Sequence, residues 1–209
     1  MRNPIIPRSG GVVSLDRRRF DDMCAELMRH VTNDRRPDAL IGIRTGGLVV
    51  AEAMAKAAGG DMPVLAVTCR RPSSRHKPTS STVRRMVANL PRPLLDQLRV
   101  IEHAVLTRKP PAPPQGDYRF DEDELNELDT WMASSGARPS LLIVDDAVDS
   151  GTTLSVVLGA IRSLAPHGAT ILSAAITVTT ERPLALPDYA LYHRQLCRFP
   201  WSLDALTES

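Results

Sequence analysis

The stretch Leu141-Leu142-Ile143-Val144-Asp145-Asp146-Ala147-Val148-Asp149-Ser150-Gly151-Thr152-Thr153-Leu154 constrains the fold more than any other part of the chain. Four apolar, mostly branched residues read as a strand buried on both faces, which is the habit of a parallel sheet covered by helices. Ser-Gly-Thr-Thr then reads as a tight turn entering a helix over Thr152 to Leu164, followed by a second strand over Ala169 to Val178. Ligands of such sheets bind at the carboxyl ends of strands, where the next helix offers free amides and the positive end of its dipole. Gly151 lets backbone approach a ligand, and the hydroxyls of Ser150, Thr152 and Thr153 add donors, together a cup for a phosphomonoester. No GxxxxGK[ST] motif occurs, which disfavours a nucleoside-triphosphate loop. Asp145 and Asp146 repel one another unless a cation or sugar hydroxyls relieve them. A ligand with a phosphate at one end and a cis-diol nearby, such as ribose 5-phosphate, satisfies cup and acids together.

A similar unit stands earlier. Ala39 to Ile43 reads as a buried strand, Arg44-Thr45-Gly46-Gly47 as a tight turn, Leu48 to Ala58 as an alanine-rich helix and Met62 to Thr68 as another strand. An amphipathic helix is expected from Asp16 to about Val31, with apolar positions at Phe20, Met23, Cys24, Leu27, Met28 and Val31. Tyr189 to Tyr192 is a possible final strand, and Arg198 to Asp204 is too short and proline-interrupted for a regular element. The architecture predicted is α/β, a mostly parallel sheet flanked by helices.

With 209 residues and 43% hydrophobic content, the chain fits one domain with room for an insertion. The 26 basic and 24 acidic residues leave a formal charge of +2, unlike the one-sided balance of a nucleic-acid or membrane-surface binder. Cys24, Cys69 and Cys197 lack metal-ligand spacing and are expected as buried thiols of a cytosolic protein. The N-terminus has no apolar signal region and no window is apolar enough to span a bilayer, so the protein is expected to be soluble and cytoplasmic. Residues 70–82 are basic and almost without apolar side chains, the composition of a mobile loop. A helix split by Pro91 and Pro93 is expected over 82–105, a proline-rich connector over 109–117, and a short helix from Phe120 to about Ala133 whose early acids complement its dipole. Everything from 70 to 138 is expected to be an excursion between the two halves of the sheet.

The run of apolar strand, two acids, two small apolar residues, Asp and Ser-Gly-Thr-Thr resembles the signature of the type I phosphoribosyltransferases, whose loop binds 5-phosphoribosyl-1-pyrophosphate (PRPP). The resemblance implies that Asp145 and Asp146 hold the ribose hydroxyls directly or with Mg2+. It implies that Ser150, Gly151, Thr152 and Thr153, with the Asp149 amide, take the 5-phosphate. Asp149 becomes the candidate catalytic proton acceptor beside the attacked nitrogen. Arg44, Thr45 and Gly46 stand where the family has its pyrophosphate loop, often with a non-proline cis peptide, here Arg44-Thr45. Residues 70–82 become a flexible lid carrying Arg70, Arg71, Arg75 and Lys77 as candidate diphosphate clamps. Residues 83–138 become a helical insertion, with a hood or dimer contact through Met86, Val87, Leu94, Leu95, Leu98 and Ile101, and residues 179–205 become a C-terminal hood.

Pro187-Asp188-Tyr189 and Phe199-Pro200-Trp201 are similar to the C-terminal part of purine phosphoribosyltransferases of 6-oxopurine type, making Trp201, Phe199 and Leu196 base-binding candidates. Two departures leave the acceptor open. Val178, Thr179, Thr180 and Glu181 occupy the place of the lysine that reads the 6-oxo group, and Leu196 occupies that of a base-stacking aromatic. The expected activity is Mg2+-dependent transfer of phosphoribose from PRPP to a purine-like, nucleobase-like acceptor, as in purine salvage and nucleotide biosynthesis, by a homodimer or higher oligomer without nucleic-acid or membrane partners. The alternatives are a PRPP-sensing regulator without turnover and a transferase acting on an unusual heterocycle.

Overall fold

Alternation along a buried strand requires apolar cover on both sides, and the strand Ser140–Val148 shows both. In the computed structural model, which describes residues 12–70 and 117–201, Leu142 and Val144 join one hydrophobic cluster and Leu141 and Ile143 the other. The elements in chain order are β1 (Val12–Ser14), α1 (Arg17–Asp34), β2 (Ala39–Ile43), α2 (Gly46–Ala57), β3 (Val64–Val67) and β4 (Cys69–Arg70). After the undescribed residues come β5 (Arg119–Phe120), α3 (Glu122–Ser134), β6 (Ser140–Val148), α4 (Thr152–Leu164), β7 (Thr170–Val178), β8 (Tyr189–His193) and β9 (Leu196–Arg198).

The central sheet has the order β3-β2-β6-β7-β8, and all its pairings are parallel. Helices α1 and α2 supply Phe20, Leu27, Val50 and Met54 to the first cluster, while α3 and α4 supply Leu128, Met132, Val157 and Ile161 to the second. Each face of the sheet is thus covered by two helices, as the alternation of strand, turn and helix predicts. Gly42 is required by the closeness of this packing, because a Cβ there would collide with the Leu48 backbone at the start of α2. Helix α1 opens on Asp16, whose Oδ1 accepts from the Arg19 amide at 2.8 Å. It runs about one turn past the expected end, so Asn33 and Asp34 lie inside its last turn.

Three features differ from the sequence expectations. Strand β6 does not stop at Val144 but carries both acids to Val148, because β7 continues the ladder with Asp145 opposite Ala175 and Val148 opposite Val178. A small parallel sheet pairs β1 with β9 in the register Val12–Leu196 to Ser14–Arg198, so Arg198 belongs to a strand. Strands of three residues are too short to show a period, and their partner lies at the other end of the chain.

The third difference is α3. Residues 117–138 were expected within an excursion, but Leu128 and Met132 are 1% and 3% exposed and pack into the core face shared with α4. Its amphipathicity is carried by few apolar residues, so the acidic face dominates the sequence pattern. Leu128→Ala is expected to destabilise the protein by about 2–5 kcal/mol in a denaturant melt, the range for an apolar truncation in a packed core. A cost near zero would return α3 to the periphery.

The remaining lid residues 71–82 and the expected helix over 82–105 lie outside the described residues, as do Arg71, Arg75 and Lys77. Arg70 is exposed on β4, which pairs antiparallel with β5 through Arg70–Arg119 and Cys69–Phe120. None of the three cysteines is in a disulfide, and only Cys24 is buried as expected, Cys69 and Cys197 being half-buried on short strands; burial pushes the Cys24 thiol up to about 12 and that of Cys197 up to about 11. Among the described residues no helix is long and apolar enough to cross a membrane.

Candidate active site

The carboxyl ends of β2 and β6 are neighbours in the sheet, so the turns that follow them meet. Their contact is made possible by glycines. A Cβ on Gly46 would strike the Asp146 carboxylate, and one on Gly47 would strike the Val144 carbonyl, so only hydrogen at these positions lets the start of α2 rest on the acidic end of β6. The peptide between Arg44 and Thr45 is cis. Helix α2 begins at Gly46, two residues before the expected Leu48, with Thr45 at its N-cap making no side-chain capping bond. Gly46 is buried, whereas Arg44 and Thr45 are exposed on the rim.

On the facing strand Asp145 Oδ1 accepts from the Asp146 amide and Asp146 Oδ1 from the Ala147 amide, each at 3.0 Å. These bonds hold the two carboxylates in place but do not neutralise them. Burial holds the Asp145 carboxyl well above the usual carboxylate range, and the neighbouring charges of Asp146 and Asp149 add to that. Asp146 is raised as well, chiefly by burial. Two neighbouring half-buried acids whose ionisation is disfavoured by burial are the pattern found at functional sites. Among the described residues no group of three or more His, Cys, Asp or Glu side chains could hold a metal by itself.

Beyond them, Asp145, Asp149, Ser150, Gly151, Thr152 and Thr153 line one cleft. Gly151 has φ 72°, the left-handed region that favours glycine, and it caps the N-terminus of α4. The Ser150 and Thr152 hydroxyls are 3.0 Å apart, and the Thr152 amide donates to Ser150 Oγ at 3.4 Å. The cup residues expected from sequence are therefore brought together with Asp145 and Asp149 in one cleft, whereas Asp146, Arg44, Thr45 and Gly46 are not among its lining residues.

Asp149 is exposed, and it is held by a segment whose proximity the sequence did not reveal. Thr179 Oγ1 donates to Asp149 Oδ1 at 2.5 Å, and Thr180 Oγ1 donates to the Asp149 carbonyl at 2.9 Å. The Thr179 amide reaches the Val148 carbonyl at 3.0 Å and the Leu184 amide reaches that of Ser150 at 2.8 Å. A Cβ on Gly151 would lie 2.6 Å from both the nitrogen and the oxygen of Ala185. The residues after β7 thus form a strap against the cup. Parallel neighbours β6 and β7 would put their following turns side by side, but nothing in the sequence selects Thr179 for contact.

A second unforeseen residue is Glu124 at the start of α3. Its Oε1 accepts from Arg44 Nε at 2.9 Å and from Thr68 Oγ1 at 3.2 Å, while its Oε2 accepts from the Thr68 amide at 2.5 Å. In the sequence it is one acid among Glu122, Asp123 and Glu124 at a helix start, indistinguishable from the others.

The expected base-binding residues lie apart from this cleft. Phe199 is 5% exposed within the core, stacked on Trp201 at 5.0 Å, and Trp201 meets Phe20 of α1 edge-on at 5.1 Å. Leu196 is half-buried on β9 opposite Val12. None of the three lines the cleft. The apolar face of α1 is what draws Phe199 and Trp201 in, so for Phe199 the placement is that of a packing residue.

The family model of the phosphoribosyl transferase domain matches residues 15–202. No curated protein matches the sequence. Among solved structures the chain is similar to a purine phosphoribosyltransferase from Pyrococcus horikoshii (19% identity over 90% of this chain and 92% of that one, TM-score 0.54). It is also similar to a xanthine-guanine-hypoxanthine phosphoribosyltransferase of Helicobacter pylori (14%, 93% and 96%, TM-score 0.58). A third likeness is to a hypothetical protein of Neisseria gonorrhoeae with bound ppGpp (16%, 96% and 95%, TM-score 0.55). At these identities the structures speak for the shared fold, whereas the family model spans both turns, the acidic pair and the strap: the chain is a phosphoribosyltransferase and belongs to the phosphoribosyl transferase family.

Proposed function

We propose that the protein transfers the 5-phosphoribosyl group of PRPP to a ring nitrogen of a purine-like base and releases pyrophosphate. The observation that carries this reading is one cleft holding Asp145, the Ser150–Thr153 cup and Asp149, with the Gly46 turn packed on Asp146, the chain neighbour of Asp145. A ribose 5-phosphate would engage acid and cup together, and its 1-pyrophosphate would extend toward the Gly46 turn. In the transfer the C1′–O bond to pyrophosphate breaks, a C1′–N bond forms to the acceptor, and the proton displaced from the acceptor passes to Asp149. Asp149 fits this role because Thr179 occupies Oδ1 and fixes the carboxylate, leaving Oδ2 to face the acceptor. The cup, its amides and the two acids position the sugar and exclude alternatives, so most of the rate comes from orientation and electrostatics.

The donor set fits Mg2+. Asp145 and Asp146 supply hard carboxylate oxygens too few for a protein cage, which suits an ion held largely by substrate oxygens. Bound there, the ion would neutralise the departing pyrophosphate. The purine preference is supported by the names of the Pyrococcus and Helicobacter structures and by the Asp188-Tyr189 and Pro200-Trp201 pairs. Trp201, packed on Phe199 and Phe20, and Leu196, opposite Val12, do not line the cleft, so which side chain meets the base is left to the acceptor screen. Cytoplasmic location and homo-oligomeric assembly belong to the same reading.

An acceptor screen with PRPP and Mg2+, read by pyrophosphate release and by the mass of the nucleotide formed, tests it. A nucleotide from a purine or purine analogue is the expected result. PRPP binding without turnover on any base would replace this reading by that of a PRPP sensor.

A further inference from the structure

The two turns that meet at the cleft differ sharply in charge. The β6 turn brings Asp145, Asp146 and Asp149 and no lysine or arginine between residues 141 and 154, whereas the β2 turn brings Arg44. An arginine left free beside the neighbouring turn would be attracted to its carboxylates. Glu124 is instead the partner that Arg44 has. It takes the guanidinium at Nε, and among the described residues Nε is the only nitrogen of that group with a hydrogen-bond partner. The Arg44 side chain is 46% exposed while that of Glu124 is 14% exposed, so the anchor is the less exposed partner.

Glu124 is itself fixed. It is the third residue of α3, where an acid ordinarily turns back to cap its own helix, yet here its carboxylate is given to the ends of two strands. Both oxygens are engaged, by the amide and hydroxyl of Thr68 after β3 and by Arg44 after β2. The Arg44 amide in turn donates to the Val67 carbonyl at 2.9 Å. With three donors on it, the Glu124 carboxylate projects little repulsion toward an incoming anion, and its main effect is to orient the arginine.

We propose that Glu124 is a positioning residue for the diphosphate half of the donor: it holds Arg44 by Nε so that the two Nη groups face the pyrophosphate of PRPP rather than the ribose acids. A guanidinium fork presents parallel N–H groups to phosphate oxygens, which a point charge cannot reproduce. The inference rests on the function proposed above and adds to it a residue outside the PRPP motif, on the helix that follows the undescribed segment.

The test compares two ligands that differ only in the diphosphate. Calorimetry with PRPP and with ribose 5-phosphate, both with Mg2+, is run on wild type, Glu124→Gln, Arg44→Lys and, as a control for charge on the same helix, Glu122→Gln. Glu124→Gln and Arg44→Lys are expected to weaken PRPP by about tenfold while ribose 5-phosphate changes by less than about twofold; Glu122→Gln is expected to change neither. Arg44→Lys keeps the charge and removes the fork; Glu124→Asp, which keeps the carboxylate but shortens its reach to Arg44, is expected to show the same selective loss and gives the answer where Glu124→Gln folds poorly. Equal losses for both ligands would make the contact merely structural and overturn the proposal, as would unchanged PRPP affinity in both variants. Wild-type protein that binds ribose 5-phosphate and PRPP with a variant-independent ratio removes this inference alone, whereas wild type that binds neither removes the proposed function and the inference with it.

Discussion

Asp149→Asn is expected to lower kcat by about 10²–10⁴, the usual contribution of a positioned general base, while changing the PRPP dissociation constant by less than about threefold. The substitution is close to isosteric, and Asn retains an oxygen to accept from the Thr179 hydroxyl, so the strap and the cup keep their geometry. What is lost is a group able to take the proton released as the nitrogen bonds to C1′. The two effects should separate because, in the proposed reaction, the Asp149 carboxylate serves the acceptor and only its amide serves the donor. Single-turnover kinetics with saturating PRPP gives the first quantity and calorimetry the second. A kcat within about threefold of wild type would take Asp149 out of the chemistry and leave only its backbone in the site.

The Asp145→Asn/Asp146→Asn double variant is expected to move binding and stability in opposite directions. Each carboxylate would make a charge-assisted hydrogen bond to a ribose hydroxyl or bound cation, so removing both should weaken PRPP by about 10²–10⁴. The unliganded protein should at the same time become more resistant to heat at neutral pH. Both carboxyls have folded-state values above the ordinary range, through burial first and through their neighbours' charges. A group raised in this way contributes stability below its ordinary value and loses that contribution as pH climbs through the folded value. The wild type therefore bears the cost at neutral pH and is relieved of it in acid, while the amide variant bears none at either. Asparagine Oδ1 can still accept from the amides of Asp146's position and Ala147, so local geometry is not the variable. Scanning calorimetry across pH should show the variant's advantage shrinking toward acid. A variant less stable than wild type at neutral pH would mean that the pair is held for structure rather than for a ligand.

The cleft after β6 was legible because its residues lie in one contiguous run. A fully apolar strand predicts a covered parallel sheet, the small residues after it predict a phosphate-sized cup, and three acids in five residues demand a ligand; Asp145, Asp149 and Ser150–Thr153 all line the cleft as that run implies. The β2–α2 turn was legible for the same reason. Its glycines are explained by backbone and carboxylate that they would otherwise strike.

What the sequence by itself determined, then, is the set of interactions whose partners are near in the chain: helix Thr152–Leu164, the apolar stripe of α1, the order of strand, turn and helix, and the family they identify. Only the tertiary structure decided the pairings across distance. It brought Thr179 to Asp149, Glu124 to Arg44 across 80 residues, β1 to β9, and Phe199 and Trp201 to Phe20 instead of the cleft. The physical reason is that a periodic apolar pattern records burial averaged over many residues, whereas a hydrogen bond depends on one side chain's position relative to another. Threonine, glutamate and phenylalanine look alike in sequence whether solvated, packed or poised, and which of these they become is settled when the sheet orders its strands as β3-β2-β6-β7-β8.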